Sequence, residues 1–284
     1  MVTGHAGNEN AAKLTRAQKE QLKETLSRPP SQSGIKADFW DVPALRDVVK
    51  ILFDVEYQSD STYQLLLKFC GMSFKLPDTF DKRRDEAAIT ARMARIRQEV
   101  AELLTRGWEV YTVDEVRVEH EAETRRMWLP RGGRTRLHVD RTRSARSFFG
   151  ALSLTTKKMK IYPIEGNQNA EQITLAIARL VRETENKKIA VVLDNAGFHH
   201  AKAVTDLYEP GQALERITPI HLPPYAPDHN PTEHVWNAAK AHISNIQHDT
   251  PEQTWTAFTS YITSRTFDYD FEHLPITPPE GNLV

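Results

Sequence analysis

The stretch KIAVVLDN, residues 188–195, constrains the fold most. Ile189 to Leu193 is an unbroken apolar run, so a strand here has no polar face to give to water. Such a strand must be covered on both sides, and strands of that kind belong to sheets with helices above and below. The run closes on Asp194. A carboxylate at the C-terminal end of a buried strand sits where α/β sheets open their crevices. Burying it alone is costly enough to favour the protonated acid.

The neighbouring text supplies the rest of an α/β layer fold. WEVYTVDE (108–115) reads as a strand ending near Asp114, with Val110, Thr112 and Asp114 on one face and Tyr111, Val113 and Glu115 on the other. RMWLP (126–130) and SFFGALSL (147–154) read as further strands, and KMKIYPI (158–164) follows a turn. Helices are expected over 172–183, near 199–208, over 231–247 and after Thr250–Pro251, with ITPIHL (217–222) as a short strand.

Upstream, the first 78 residues read as all-helical. Thr15 caps a helix through Ser27. Asp41 caps one over 43–53 that buries Leu45, Val48, Val49, Leu52 and Phe53. A third covers 60–69 and ends near Gly71, a left-handed cap. The second and third fit a helix-turn-helix, with Gln64 and Lys68 as its polar contacts to DNA, or simply a packed pair. Residues 83–106 form one long helix with Ile89, Met93, Ile96, Val100 and Leu103 on a narrow stripe. That stripe suits a connector packed on the next domain or a dimer seam. The expected division is a helix-turn-helix region at 1–78, a connector helix at 79–107 and a catalytic domain at 108–284.

Charge is even overall, at a net −1, and uneven locally. Residues 125–146 hold Arg125, Arg126, Arg131, Arg134, Arg136, Arg141, Arg143 and Arg146 against one acid, Asp140. Guanidinium binds phosphate in a bidentate way and stays charged. The alternative is a solvated hairpin pairing with Glu119, Glu121 and Glu123. No apolar run approaches the roughly 18–20 residues that span a bilayer, and MVTGHAGNENAAKLT lacks the apolar core of a secretory signal. The single cysteine, Cys70, excludes an internal disulfide and fits a reducing compartment.

Glu233 lies in HNPTEHVWNAAK. Asn230, Pro231 and Glu233 make a capping-box arrangement, which by itself explains the glutamate. Two features favour a different role. Glu233 precedes Trp236 by one turn, and Trp236, Ala239, Ile243 and Ile246 form the inward stripe. The approach, LPPYAPDHNP, carries four prolines in ten residues and fixes where the helix begins. Three acids without a histidine–cysteine cage suit hard divalent cations, and two ions about 3.5–4 Å apart suit in-line displacement at a phosphodiester.

These residues resemble the DDE transposases of the Tc/mariner superfamily, in its prokaryotic insertion-sequence branch. The matching strings are VDE (113–115), WLPRG (128–132), FFGALS (148–153), VVLDNAGFHHAK (191–202) and LPPYAPDHNPTEHVWNAAK (222–240). Upstream, LTRAQKEQL, FWDVPAL and YQLLLKFCGMSFKLP resemble the second helix-turn-helix of that branch. The resemblance implies an RNase H-like fold, a mixed sheet flanked by helices. It implies two Mg2+ or Mn2+ ions held by Asp114, Asp194 and Glu233. The implied reaction is hydrolysis at transposon ends, followed by attack of the freed 3′-hydroxyl on target DNA at a TA dinucleotide. It further implies double-stranded DNA as partner, a homodimer on that DNA, and a cytoplasmic, nucleoid-associated location in a prokaryote. Glu115, Asn195 and His199 match positions of the strings as accessory residues, and Lys240 as a phosphate contact; His199 equally suits an ordinary surface histidine. The 38 residues between Asp194 and Glu233 exceed the family's usual interval, and the extra length is expected around EPGQALERIT (209–218). No region resembles the branch's initial helix-turn-helix, which fits the downstream product of a split reading frame or a truncated, catalytically impaired copy acting as a DNA-binding protein; a structure-specific nuclease on the same fold is a further reading.

Overall fold

A computed structural model of the chain describes residues 13–75, 81–129, 135–166, 168–186, 188–195 and 202–273. The expectations for Arg131, Arg134, His199 and the tail beyond residue 273 lie outside the described residues. Those residues fall into two compact units, 13–75 and 81–273.

The first unit holds three α-helices. In α1 (Arg16–Leu26) the Gln18 amide donates to Thr15 Oγ1 at 3.2 Å and the Thr15 amide donates to Gln18 Oε1 at 2.8 Å, a reciprocal cap. Asp41 and Ser59 cap α2 (Val42–Phe53) and α3 (Asp60–Phe69). Leu22, Leu26, Leu45, Val48, Val49, Tyr63 and Leu66 form the shared core. Gly71 takes the left-handed conformation (φ 85°) that ends α3. The α2–α3 link, 54–59, is longer than a tight turn. Leu52, expected inside, is exposed, because the fully buried positions of α2 stop at Val49 and Asp54 (φ 53°) ends the helix.

The second unit is built on a five-stranded sheet in the order β3-β2-β1-β4-β5. The strands are β1 (Glu109–Glu119), β2 (Ala145–Ser153), β3 (Met159–Ile164), β4 (Ile189–Leu193) and β5 (Ile217–His221). β1, β2 and β3 pair antiparallel, while β4 and β5 run parallel to β1. The helices are α4 (Glu86–Thr105), α5 (Ala170–Glu183), the one-turn α6 (Lys202–Thr205), α7 (Pro231–Ile243) and α8 (Pro251–Thr263). β4 explains its own composition: Ile189, Val191 and Leu193 pack with Ile173, Ile177 and Leu180 of α5, while Ala190 and Val192 pack with Ile89, Met93 and Ile96 of α4. The α4 stripe is therefore covered by the sheet. Beyond it on the same face, Trp236 of α7 and Phe258 and Ile262 of α8 cover Val116, Phe148 and Leu152. This mixed sheet flanked by helices is the RNase H-like architecture the resemblance implies, preceded by a helical region. Among the described residues no helix is long and apolar enough to cross a membrane.

Three expectations need correction. β1 does not end near Asp114 but runs on to Glu119, held by β2 as far as Glu119↔Ala145. RMWLP forms no strand over its described residues: β1 and β2 pair directly with each other, and Trp128 between them is 99% exposed. Helix α7 stops at Ile243, because Asn245 turns left-handed (φ 62°) and its amide donates to Glu123 O at 2.9 Å. Ile246 is consequently exposed instead of joining the inward stripe.

Candidate active site

The parallel ladder between β1 and β4 ends at Thr112↔Val192. Beyond that pair β1 keeps only β2 as a partner, with Asp114 opposite Gly150. Extending the register by two residues brings position 114 level with position 194, the first residue after β4. Two carboxylates thus leave adjacent strands at one height, where the parallel half of the sheet runs out.

The start of α7 is bolted to the same stretch of β1 by three successive residues. Thr112 and Thr232 share a hydroxyl–hydroxyl bond of 2.8 Å, and Thr232 Oγ1 also donates to Thr112 O at 2.8 Å. Asn230 Nδ2 donates to Val113 O at 3.1 Å. Trp236 Nε1 donates to Asp114 Oδ2 at 3.0 Å. Asn230 and Thr232 are almost fully buried, so the bonds form away from water. They fix the first turn of α7, and with it Glu233, against the strand that carries Asp114. The capping-box alternative for Glu233 is not formed. The Asn230 amide that would receive it donates instead to Pro227 O at 2.8 Å, while the Asn230 side chain caps α7 through the Thr232 amide at 3.1 Å.

The acids act on one another. Burial raises the Asp114 carboxyl well above the usual range, and the charges of Glu233, Glu115 and Asp194 raise it further. Burial raises Glu233; Lys240 and His234 pull it back, and Asp194 adds to the rise. Burial and Asp194 push Glu115 up to about 7. Glu115 lies on the opposite face of β1 from Asp114, yet Asp194 reaches it, and its Oε1 is buried without a hydrogen-bond partner. An oxygen-only set of buried, mutually repelling carboxylates is the donor chemistry hard divalent cations require. Among the described residues no three His, Cys, Asp or Glu side chains already form a closed metal cage. Glu233 and Asp194 both act on the Asp114 carboxyl, and this oxygen-only donor set fits such ions.

Of the accessory residues, Asn195 is exposed just after Asp194, and Lys240 is half-buried on α7. Gln64 and Lys68 are exposed on α3, on the side away from buried Tyr63 and Leu66. Arg125 pairs with Glu123 at 3.2 Å and Arg141 with Glu121 at 3.8 Å. Arg126, Arg136 and Arg143 are exposed and carry no ion pair among the described residues. Over its described residues the arginine segment forms no strand, but its ends are tied down. Gln247 Oε1 accepts from the Ala122 amide at 3.1 Å and from the Asp140 amide at 3.0 Å, and Asn245 Oδ1 accepts from the Arg125 amide at 2.8 Å. Sequence reasoning missed Thr232, Asn245 and Gln247, and it placed Thr112 on the face of Asp114 without its bond to Thr232. It placed Trp236 on the buried stripe without its bond to Asp114.

Several solved structures share this fold. They include the Mos1 strand transfer complex (TM-score 0.61, 14% identity, covering 92% of this chain and 74% of that one). The Mos1 transposase paired-end complex with left transposon end matches at TM-score 0.62 and 13% identity, covering 93% and 75%. The Mos1 mariner paired-end complex with Mn matches at 0.61 and 14%, covering 92% and 75%. At such identities the likeness is one of fold. No curated protein sequence matches the chain. A family model described as DDE superfamily endonuclease matches residues 109–254, which is 146 of the 284 residues. It takes in Asp114 and Asp194, the first turn of α7 and the arginine segment, and the chain belongs to that superfamily of endonucleases.

Proposed function

We propose that the chain is a transposase of the Tc/mariner superfamily, in its prokaryotic insertion-sequence branch. It cuts DNA at transposon ends and joins the freed ends to target DNA. The observation that carries this reading is geometric: position 114 of β1 lies level with Asp194 just after β4, and bonds from Asn230 and Thr232 tie the helix start that carries Glu233 to the same stretch of β1. Solved structures of the same fold include Mos1 complexes with Mn and with Mg, which supports divalent ions here.

In this reading Asp114, Asp194 and Glu233 hold two Mg2+ or Mn2+ ions. When bound, such a pair supplies Lewis-acid activation of the attacking oxygen and charge stabilisation of the leaving oxygen. The chain does the rest. Asn230 and Thr232 fix the height of Glu233 on the strand. Lys240 favours the ionised form of Glu233 that a cation needs. Arg126, Arg136 and Arg143 offer phosphate contacts from a segment whose ends are anchored, and Gln64 and Lys68 offer a second DNA surface. The DNA-bound form is a homodimer.

The test is cleavage of DNA carrying the element's terminal repeats, in Mg2+ or Mn2+, by the wild type and by Asp114→Ala, Asp194→Ala and Glu233→Ala. Each variant is expected to lose cutting and joining while keeping its circular dichroism and its DNA binding. Full activity in any one removes that residue from the site. Cutting without joining favours a nuclease. Binding without cutting by the wild type favours a DNA-binding protein.

A further inference from the structure

We propose that Trp236 is a positioning residue for the cation site: its indole N–H claims Oδ2 of Asp114 and so fixes the direction in which that carboxylate meets a metal. The inference rests on Asp114 being a cation ligand, as above.

The bond is 3.0 Å long, and the two residues are 122 positions apart in the chain. An indole N–H can only donate, so Trp236 cannot itself bind a cation or compete for one. It can decide which way a carboxylate faces. The ring has little freedom to do otherwise. Trp236 is 1% exposed, its ring stacks on Phe258 with centroids 6.0 Å apart, and its benzo edge lies over Gly150. Gly150 is the cross-strand partner of Asp114, and a Cβ there would collide with the indole. The ring thus occupies the space that a missing side chain opens directly opposite the acid. Below it, Thr112–Thr232 and Asn230–Val113 hold α7 at the same height on β1. Backbone anchoring therefore sets the indole–carboxylate distance. Partners that orient a metal ligand through one of its atoms typically change metal affinity about 10–100-fold when removed. A tryptophan that only filled the core would instead lower stability without regard to metal.

The experiment compares full-length wild type with Trp236→Phe, which keeps an aromatic ring and loses the donor. Mn2+ binding is measured by titration, and cleavage is measured over a range of Mn2+ concentrations. Trp236→Phe is expected to bind Mn2+ about ten-fold more weakly and to recover its cleavage rate at saturating Mn2+. Unchanged Mn2+ affinity overturns the proposal, whether or not the rate falls. A second measurement covers a variant that fails to fold. In the 15N-labelled wild type, the Trp236 indole signal, assigned through its contacts with Phe258, should shift on adding Mg2+. The same signal in Asp114→Ala should not respond. An indole signal that ignores Mg2+ in the wild type also overturns the proposal. If the wild type binds no Mn2+ at all, the metal reading of Asp114 fails and this inference fails with it. Binding that is normal in both proteins sinks only the role of Trp236.

Discussion

Gly150→Ala is the smallest change that should disturb this site. A Cβ at position 150 would lie on Met159 Cε and Trp236 Cη2, and 2.5 Å from Trp236 Cζ2. Met159 is a flexible neighbour and can yield cheaply. Trp236 cannot, since it is buried, stacked on Phe258 and tied to Asp114. Adding one carbon to a filled core costs about 1–3 kcal/mol when rigid groups must move. The upper half of that range is expected here, because moving the indole also strains its bond to the carboxylate. Urea denaturation without divalent ions measures the loss. The double variant Gly150→Ala/Trp236→Phe supplies the control. Phenylalanine lacks the benzo atoms that collide, so the alanine should cost less in that background, with a coupling of about 1–2 kcal/mol. A Gly150→Ala protein within about 0.5 kcal/mol of wild type, or strict additivity in the double variant, would refute the packing argument.

Two further outcomes follow from the electrostatics. Glu115 is held at about 7 in the folded chain against an ordinary 4.5, so the folded state keeps a proton that the unfolded chain has lost. Its contribution to stability is fully present below pH 4.5 and is lost as pH rises through about 7. A rise of that size corresponds to at most about 3 kcal/mol. Glu115→Gln should therefore be more stable than wild type at pH 8 in chelator, with the gap closing toward pH 4.5; an unchanged pH slope in urea melts would contradict the burial of that carboxyl. Arg84 bonds both oxygens of Asp228, at 2.6 and 3.0 Å, and Tyr225 O at 3.0 Å, from a side chain 6% exposed. Breaking a buried pair by removing one partner costs about 3–5 kcal/mol. Asp228 is 26% exposed and can recover some hydration, so Arg84→Ala should cost about 2–4 kcal/mol in the same melts; a loss below 1 kcal/mol would mean the pair does not anchor the proline-rich approach to α7.

What could be read from the sequence divides by distance along the chain. Local chemistry was legible. Thr15 and Asp41 cap their helices as expected, and a helix follows Thr250–Pro251, because a cap needs only neighbours within three residues. The apolar run of β4 announced a strand covered on both faces, and it is. Two errors came from treating local pattern as sufficient. RMWLP has strand-like composition, but β1 and β2 already pair with each other across the excursion that contains it. The stripe through Ile246 has helical spacing, but a bond from the Asn245 amide to Glu123 ends the helix first. The candidate site divides in the same way. A strand end marked Asp194 and a proline-stiffened helix start marked Glu233, while Asp114 was picked out at an expected strand end that lies in the middle of β1.

The residues that hold those acids in place carry no such mark. Thr112 meets Thr232 across 120 positions, and Asn230 meets Val113 across 117. A threonine in a strand and an asparagine at a helix cap are each explained well enough by local preference that neither asks for a second partner. Their distant bonds nevertheless decide whether Glu233 faces Asp114 at all. A site of the proposed design must also tolerate its acids when no cation is bound, because carboxylates that raise one another's proton affinity oppose folding. Raised proton affinities at Asp114, Glu115 and Glu233 are the sign of that opposition. The hydrogen bonds from α7 to β1 act against it, holding the helix start and the strand together while the carboxylates push apart. On the proposed reading, the same bonds that make the site hard to read from sequence keep it assembled before a cation arrives.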